Sequence, residues 1–75
     1  MVKLYPVPSQ GDVNVLSMEN APVTVRVMDM SGRELWIAQV LENAVIPAAT
    51  WNSGVYLVTV QDLAGKTTTL RLIKE

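Results

Sequence analysis

Seventy-five residues carry six basic and seven acidic side chains, and neither histidine nor cysteine is among them. This excludes a disulfide framework, a thiolate metal site and any nucleophile–histidine catalytic set, and a net charge of −1 with no basic stripe leaves no electrostatic grip on nucleic acid. Hydrophobic residues make up 49% of the chain, enough for the core of one small domain, 1–75, although a chain this short buries only about 60% of the surface its unfolded form exposes.

The chain opens on MVKLYP, which reads as an initiator Met placed directly before a strand near residues 2–5. No charged segment followed by an apolar stretch marks a signal peptide there. The expectation is a domain cut from a longer protein. PVPSQGD follows as a loop, because Pro6 and Pro8 lack amide donors and stop strand pairing. A strand is predicted over 12–17, and ENAP turns the chain. Over 23–29, Val23, Val25 and Val27 alternate with Thr24, Arg26 and Met28, the period of a sheet with one buried face.

DMSG turns the chain again into a strand at 33–40, followed by one at 44–46. Residues 34–44, ELWIAQVLENA, are good helix formers without Gly or Pro. Strand is favoured here because Gly32 closes a tight turn just before, as a hairpin return requires. After WNSG, Tyr56, Val58 and Val60 alternate with Leu57, Thr59 and Gln61 over 54–61. After DLAG, Leu70 and Leu72 alternate with Arg71 and Ile73 over 66–73. Seven short β-rich strands with turns every eight to twelve residues predict an all-β sandwich of two antiparallel sheets.

One local solution occurs twice. VRVMDMSGR at 25–33 and VTVQDLAGK at 58–66 both fit V-x-V-x-D-x-x-G followed by a basic residue. Asp29 and Asp62 are placed to accept turn amides, and Gly32 and Gly65 fall where a bulged turn needs positive φ.

Chemistry is sparse. AGKTTT has the end of a phosphate-binding loop, but Val60 stands where that loop needs its first glycine, and three threonines favour a strand. Asp12, Asp29 and Asp62 are too scattered for calcium, which takes six to eight oxygens. No metal, cofactor or catalytic residue is assigned. Trp36, Trp51 and Tyr56 offer a sugar platform on paper, but core packing is the favoured role for a domain with four aromatics. The run LWIAQVL is apolar on both faces of a strand. Either it lies centrally or it leaves Ile37 and Leu41 on an apolar contact surface.

Three blocks now stand in order: KLYPVPSQGDVNV, VRVMDMSGREL and SGVYLVTVQDLAGKTTTLRLIKE. Together they resemble the C-terminal sorting domain of type IX secretion in Bacteroidetes, over nearly the whole chain. The resemblance implies a seven-stranded immunoglobulin-like β-sandwich without enzymatic activity. It also implies a secretion signal that directs an N-terminal cargo protein across the outer membrane. The implied partners are the type IX machinery and a sortase-like protease. The implied route is the periplasm in transit, then the cell surface or the medium. The motif carries over to Leu4, Tyr5, Pro6 and Pro8, to Gly32, to Gly54, Val55 and Tyr56, to Gly65, and to Leu70, Ile73 and Lys74.

The last strand has the best claim to recognition, by strand addition or by exposed charge. Val7 departs from the family, which usually has Asn there. With Ile37 and Leu41, Val7 forms a candidate apolar interface. The rival reading is an interaction module: an immunoglobulin-like carbohydrate- or protein-binding domain, or a sorting domain altered to self-associate as a homo-oligomer.

Overall fold

The computed structural model describes residues 2–6 and 9–75. Its strands are β1 (Val2–Tyr5), β2 (Val13–Ser17), β3 (Val23–Met28), β4 (Glu34–Val40), β5 (Asn43–Ile46), β6 (Gly54–Gln61) and β7 (Thr67–Lys74), with one 3-10 turn at Ala48–Thr50. Each lies within one residue of the expected bounds. Every strand pairing is antiparallel. The strands form a three-stranded sheet ordered β1-β2-β5 and a four-stranded sheet ordered β4-β3-β6-β7. This is an immunoglobulin-like sandwich in which the fourth strand lies beside the third, whereas constant-type immunoglobulin domains place it on the other sheet.

The alternation read from the sequence builds the interior. Val13, Val15 and Ile46 from the first sheet meet Val23, Val25, Val27, Val40, Tyr56, Val58, Val60 and Leu72 from the second. Among the described residues, eight of the twelve buried hydrophobics are valines, whose stiff branched side chains suit a pleated surface. Each is worth about 1.5–3 kcal/mol of burial. Val58 lies opposite Val27 on one side and Leu70 on the other, so β6 is one of the two inner strands of its sheet.

The ambiguous segment resolves as strand β4 and a turn. Trp36, Ala38 and Val40 stand opposite Val27, Val25 and Val23, which face the core. That burial outweighs helix propensity. The register slips between Val27 and Met28, pairing Trp36 with Val27 but Glu34 with Met28. Leu35 is therefore the extra residue of a bulge, and both Leu35 and Trp36 pack on the core. β4 is an edge strand, so Ile37 points to solvent opposite Arg26 and is 46% exposed. The chain leaves β4 through a tight turn in which the Asn43 amide donates to the Leu41 carbonyl (3.0 Å). Glu42 takes φ +75° at its centre. The Ser17 amide then caps the Glu42 carbonyl at 2.7 Å, fixing the passage from one sheet to the other.

Candidate functional site

The two end motifs meet on β7. This strand pairs with β6 along its whole length, from Gly54 opposite Lys74 to Gln61 opposite Thr67. Its other edge is met near the end by Ser9, in a parallel bridge to Lys74. The Ser9 amide donates to the Ile73 carbonyl at 2.8 Å, and the Glu75 amide donates to the Ser9 carbonyl at 2.7 Å. Ser9 is fully buried. Its hydroxyl donates to the Gly11 carbonyl and accepts the Gly11 amide at 3.1 Å, so its polar atoms are satisfied.

Beneath the end of β7, Tyr56 is buried and its hydroxyl donates to the Asn52 carbonyl, four residues upstream. This is the tyrosine corner of immunoglobulin-like sandwiches, which ties the connection before the sixth strand to that strand. Trp51 packs on Tyr56 with ring centroids 5.2 Å apart and planes tilted by 47°. Trp36 lies on β4, opposite Val27. Trp51 and Tyr56 are thus paired on one side of the core, and the three aromatics are packed against it or within it.

Lys74 departs from the expectation of an exposed terminal charge. It is 7% exposed. Its partner across the ladder is Gly54. Its ammonium donates to the Trp51 carbonyl at 3.4 Å. A long cationic side chain commonly buries its stem in this way while keeping its head hydrogen-bonded. Leu72 beside it is fully buried, whereas Ile73 faces outward opposite Val55 and is 36% exposed.

The two hairpin turns are copies of one another, as the sequence echo predicts. Asp29 Oδ1 accepts the Ser31 and Arg33 amides, each at 3.0 Å, and the Ser31 hydroxyl at 2.6 Å. Asp62 Oδ1 accepts the Ala64 amide at 3.0 Å and the Lys66 amide at 2.9 Å. The Gly32 and Gly65 amides donate to the Asp29 and Asp62 carbonyls, each at 3.0 Å. Gly32 has φ +91° and Gly65 φ +88°, a region L side chains enter at a cost. The Ser31 hydroxyl, then the Arg33 amide, hold the Asp29 carboxyl below its ordinary value, with smaller help from the Ser31 amide and the Arg33 guanidinium.

Other motif residues are architectural. Leu4 packs on the core opposite Val15, and Leu70 packs on it opposite Val58. Tyr5 is 48% exposed, and its carbonyl accepts the Asn14 side-chain amide at 3.3 Å. Pro6 is exposed and follows the last residue of β1. Val7 and Pro8 lie outside the described residues. Leu41 is exposed, on the turn after β4. Asp12 Oδ1 accepts the Ala49 amide at 3.1 Å and so holds the 3-10 turn.

Three structural roles are missing from the sequence reading: those of Ser9, Asp12 and Asn52. Only Asn52 left a signal, since a polar turn residue four positions before a buried strand tyrosine is the spacing of a tyrosine corner.

A search of curated proteins found no match to the chain. Against protein-family models, residues 3–75 match the secretion system C-terminal sorting domain. The match spans both end motifs that Ser9 and Lys74 bring together and both Asp-Gly turns. On this evidence the chain belongs to the family of C-terminal sorting domains, the signals of type IX secretion.

Proposed function

We propose that this domain is read as a folded signal, and that Tyr5 and Ile73 are the side chains through which the type IX machinery reads it. The observation that carries this is the Ser9–Lys74 bridge. It fastens Ser9, which follows the first motif, to the end of β7, where the last motif lies, so residues more than sixty positions apart in the chain are held side by side. Of the motif residues around this bridge, Leu4, Tyr56, Leu72 and Lys74 are spent on packing, while Tyr5 and Ile73 are open to a partner. The domain has no enzymatic role in this reading. It carries a cargo joined at its N-terminal side through the periplasm, and a sortase-like protease separates the two on the far side of the outer membrane.

The test is a secretion assay on reporter fusions carrying Tyr5→Ser or Ile73→Ser. Both substitutions are at exposed positions, so melting temperature should stay within a few degrees of the parent. Reduced export with unchanged melting supports direct reading of these residues. Export equal to the parent for both variants removes them from the recognition surface and leaves their motif positions as architecture.

A further inference from the structure

We infer that the free stretch of the β7 edge and the clefts beside it form a binding site for an extended peptide with apolar side chains at alternate positions. The inference rests on the fold alone and stands apart from the reading of Tyr5 and Ile73.

Ser9 bonds to the Ile73 carbonyl and the Glu75 amide, so odd-numbered residues of β7 turn their backbone groups away from β6. Thr67 and Thr69 share that parity. Among the described residues, β7 has β6 on one side and only Ser9 on the other, at Lys74. The amides and carbonyls of Thr67 and Thr69 therefore face an open edge. Edges of this kind are commonly blocked by proline, a bulge or an inward charge. β7 carries such a charge only at its far end, in Lys74, and the stretch at 67–69 presents three consecutive threonines with Lys66 and Arg71 flanking it.

The edge borders open clefts with apolar walls. β1 and β7 are edge strands of opposite sheets. Between them lies a cleft of about 310 Å³ whose walls combine Val2, Val23, Val60, Thr68 and Leu70 with Glu19, Asp62 and Lys66. A second cleft of about 220 Å³ continues past Leu70, against Val2, Leu4 and Arg71. Thr68 in the first cleft and Leu70 at the second are two residues apart on one strand face, about 7 Å. A strand added beside β7 sends alternate side chains inward at the same spacing. Its backbone meets Thr67 and Thr69 while two successive inward side chains enter the two clefts. Strand addition with side-chain pockets is an established mode of peptide recognition. Ser9 already makes one rung of such an addition on this edge, and among the described residues no other segment pairs with it.

The probe is the capped hexapeptide acetyl-Lys-Val-Thr-Val-Thr-Lys-amide, titrated into the isotope-labelled 75-residue chain and followed by NMR. Saturable shifts are expected at the Thr67 and Thr69 amides and the Val2 and Leu70 methyls, with Kd about 1 mM or tighter. The same peptide N-methylated at its backbone, or with both valines replaced by serine, should bind at least about tenfold more weakly. Thr69→Pro removes an outward amide, which an edge strand tolerates, and should weaken binding similarly at unchanged melting temperature. The N-methylated probe keeps the test decisive should that variant fold poorly. Equal binding of the N-methylated probe, shifts centred elsewhere, or no saturation would overturn the proposal. So would a concentration-dependent dimer that protects Thr67 and Thr69 without peptide, because a second copy would then own the edge.

Discussion

Ser9 and Lys74 lie side by side in a parallel bridge, and the Ser9 main chain holds both the Ile73 carbonyl and the Glu75 amide. The order of the last three residues therefore depends on a residue near the start of the chain. Ser9→Ala removes the hydroxyl that ties Ser9 to Gly11 and leaves a partly buried amide unpaired, at a cost of about 1–3 kcal/mol. Hydrogen exchange should show the Glu75 amide losing protection in this variant, while Val58 at the sheet centre loses only what global stability loses.

Tyr56→Phe keeps the ring against Trp51 and deletes the bond to the Asn52 carbonyl. The expected loss is about 1–2 kcal/mol, which for a domain of this size lowers the melting temperature by roughly 4–16 °C. Tyr56→Ala also empties a core position and should cost about 3–5 kcal/mol, enough to leave much of the population unfolded. Thermal denaturation followed by circular dichroism distinguishes the two.

Gly32→Ala and Gly65→Ala each force a side chain into positive φ, at about 1–2 kcal/mol apiece. The two turns sit at opposite ends of the second sheet, since Met28 pairs with Leu57 and Thr24 with Gln61. Their costs should therefore add in the double variant to within about 0.5 kcal/mol. Urea titration of the two single variants and the double variant checks this, and a strong departure from additivity would show that the turns communicate through the sheet.

Asp29 gives the fold an acid dependence whose sign follows from its turn. Its folded carboxyl titrates below the ordinary value of 3.8, so the unfolded chain binds more protons in the interval between. The stabilisation is complete above the unfolded value and is lost as pH falls through the lower folded one. The urea midpoint of the parent should fall with acidification below about pH 4, and Asp29→Asn should flatten that part of the profile.

The strands were legible because valines at every second position have one economical arrangement, a sheet with one face buried. The paired turns were legible because Asp and Gly at fixed spacing specify both the acceptor and the positive φ. The identity of β4 was harder, because Trp36, Ala38 and Val40 become an inward row only once Val23, Val25 and Val27 stand opposite, and the bulge at Leu35 disturbs the alternation. The burial of Lys74 was not legible in the sequence. Its ammonium is held by a carbonyl at Trp51, 23 residues away, which no local pattern reveals. Ser9 was invisible for a related reason. A lone serine between a proline and a glutamine carries no periodicity, and only the return of β7 to its side gives it a partner.

The open side of the sandwich was equally beyond the sequence. Val2 and Leu70 each read as ordinary inward residues of a strand. That both belong to edge strands, with clefts between them, follows from the sheet order alone.

The most direct test of the sorting role is to place a signal peptide and a fluorescent reporter ahead of residues 1–75 in a bacterium with a working type IX system. A parallel fusion lacks Ile73–Glu75, and the melting temperature of each domain is measured alongside. The account predicts reporter at the cell surface or in the medium with the intact domain, and retention in the periplasm with the shortened one while it remains folded. Periplasmic retention of the intact fusion, or equal export of both, would contradict it.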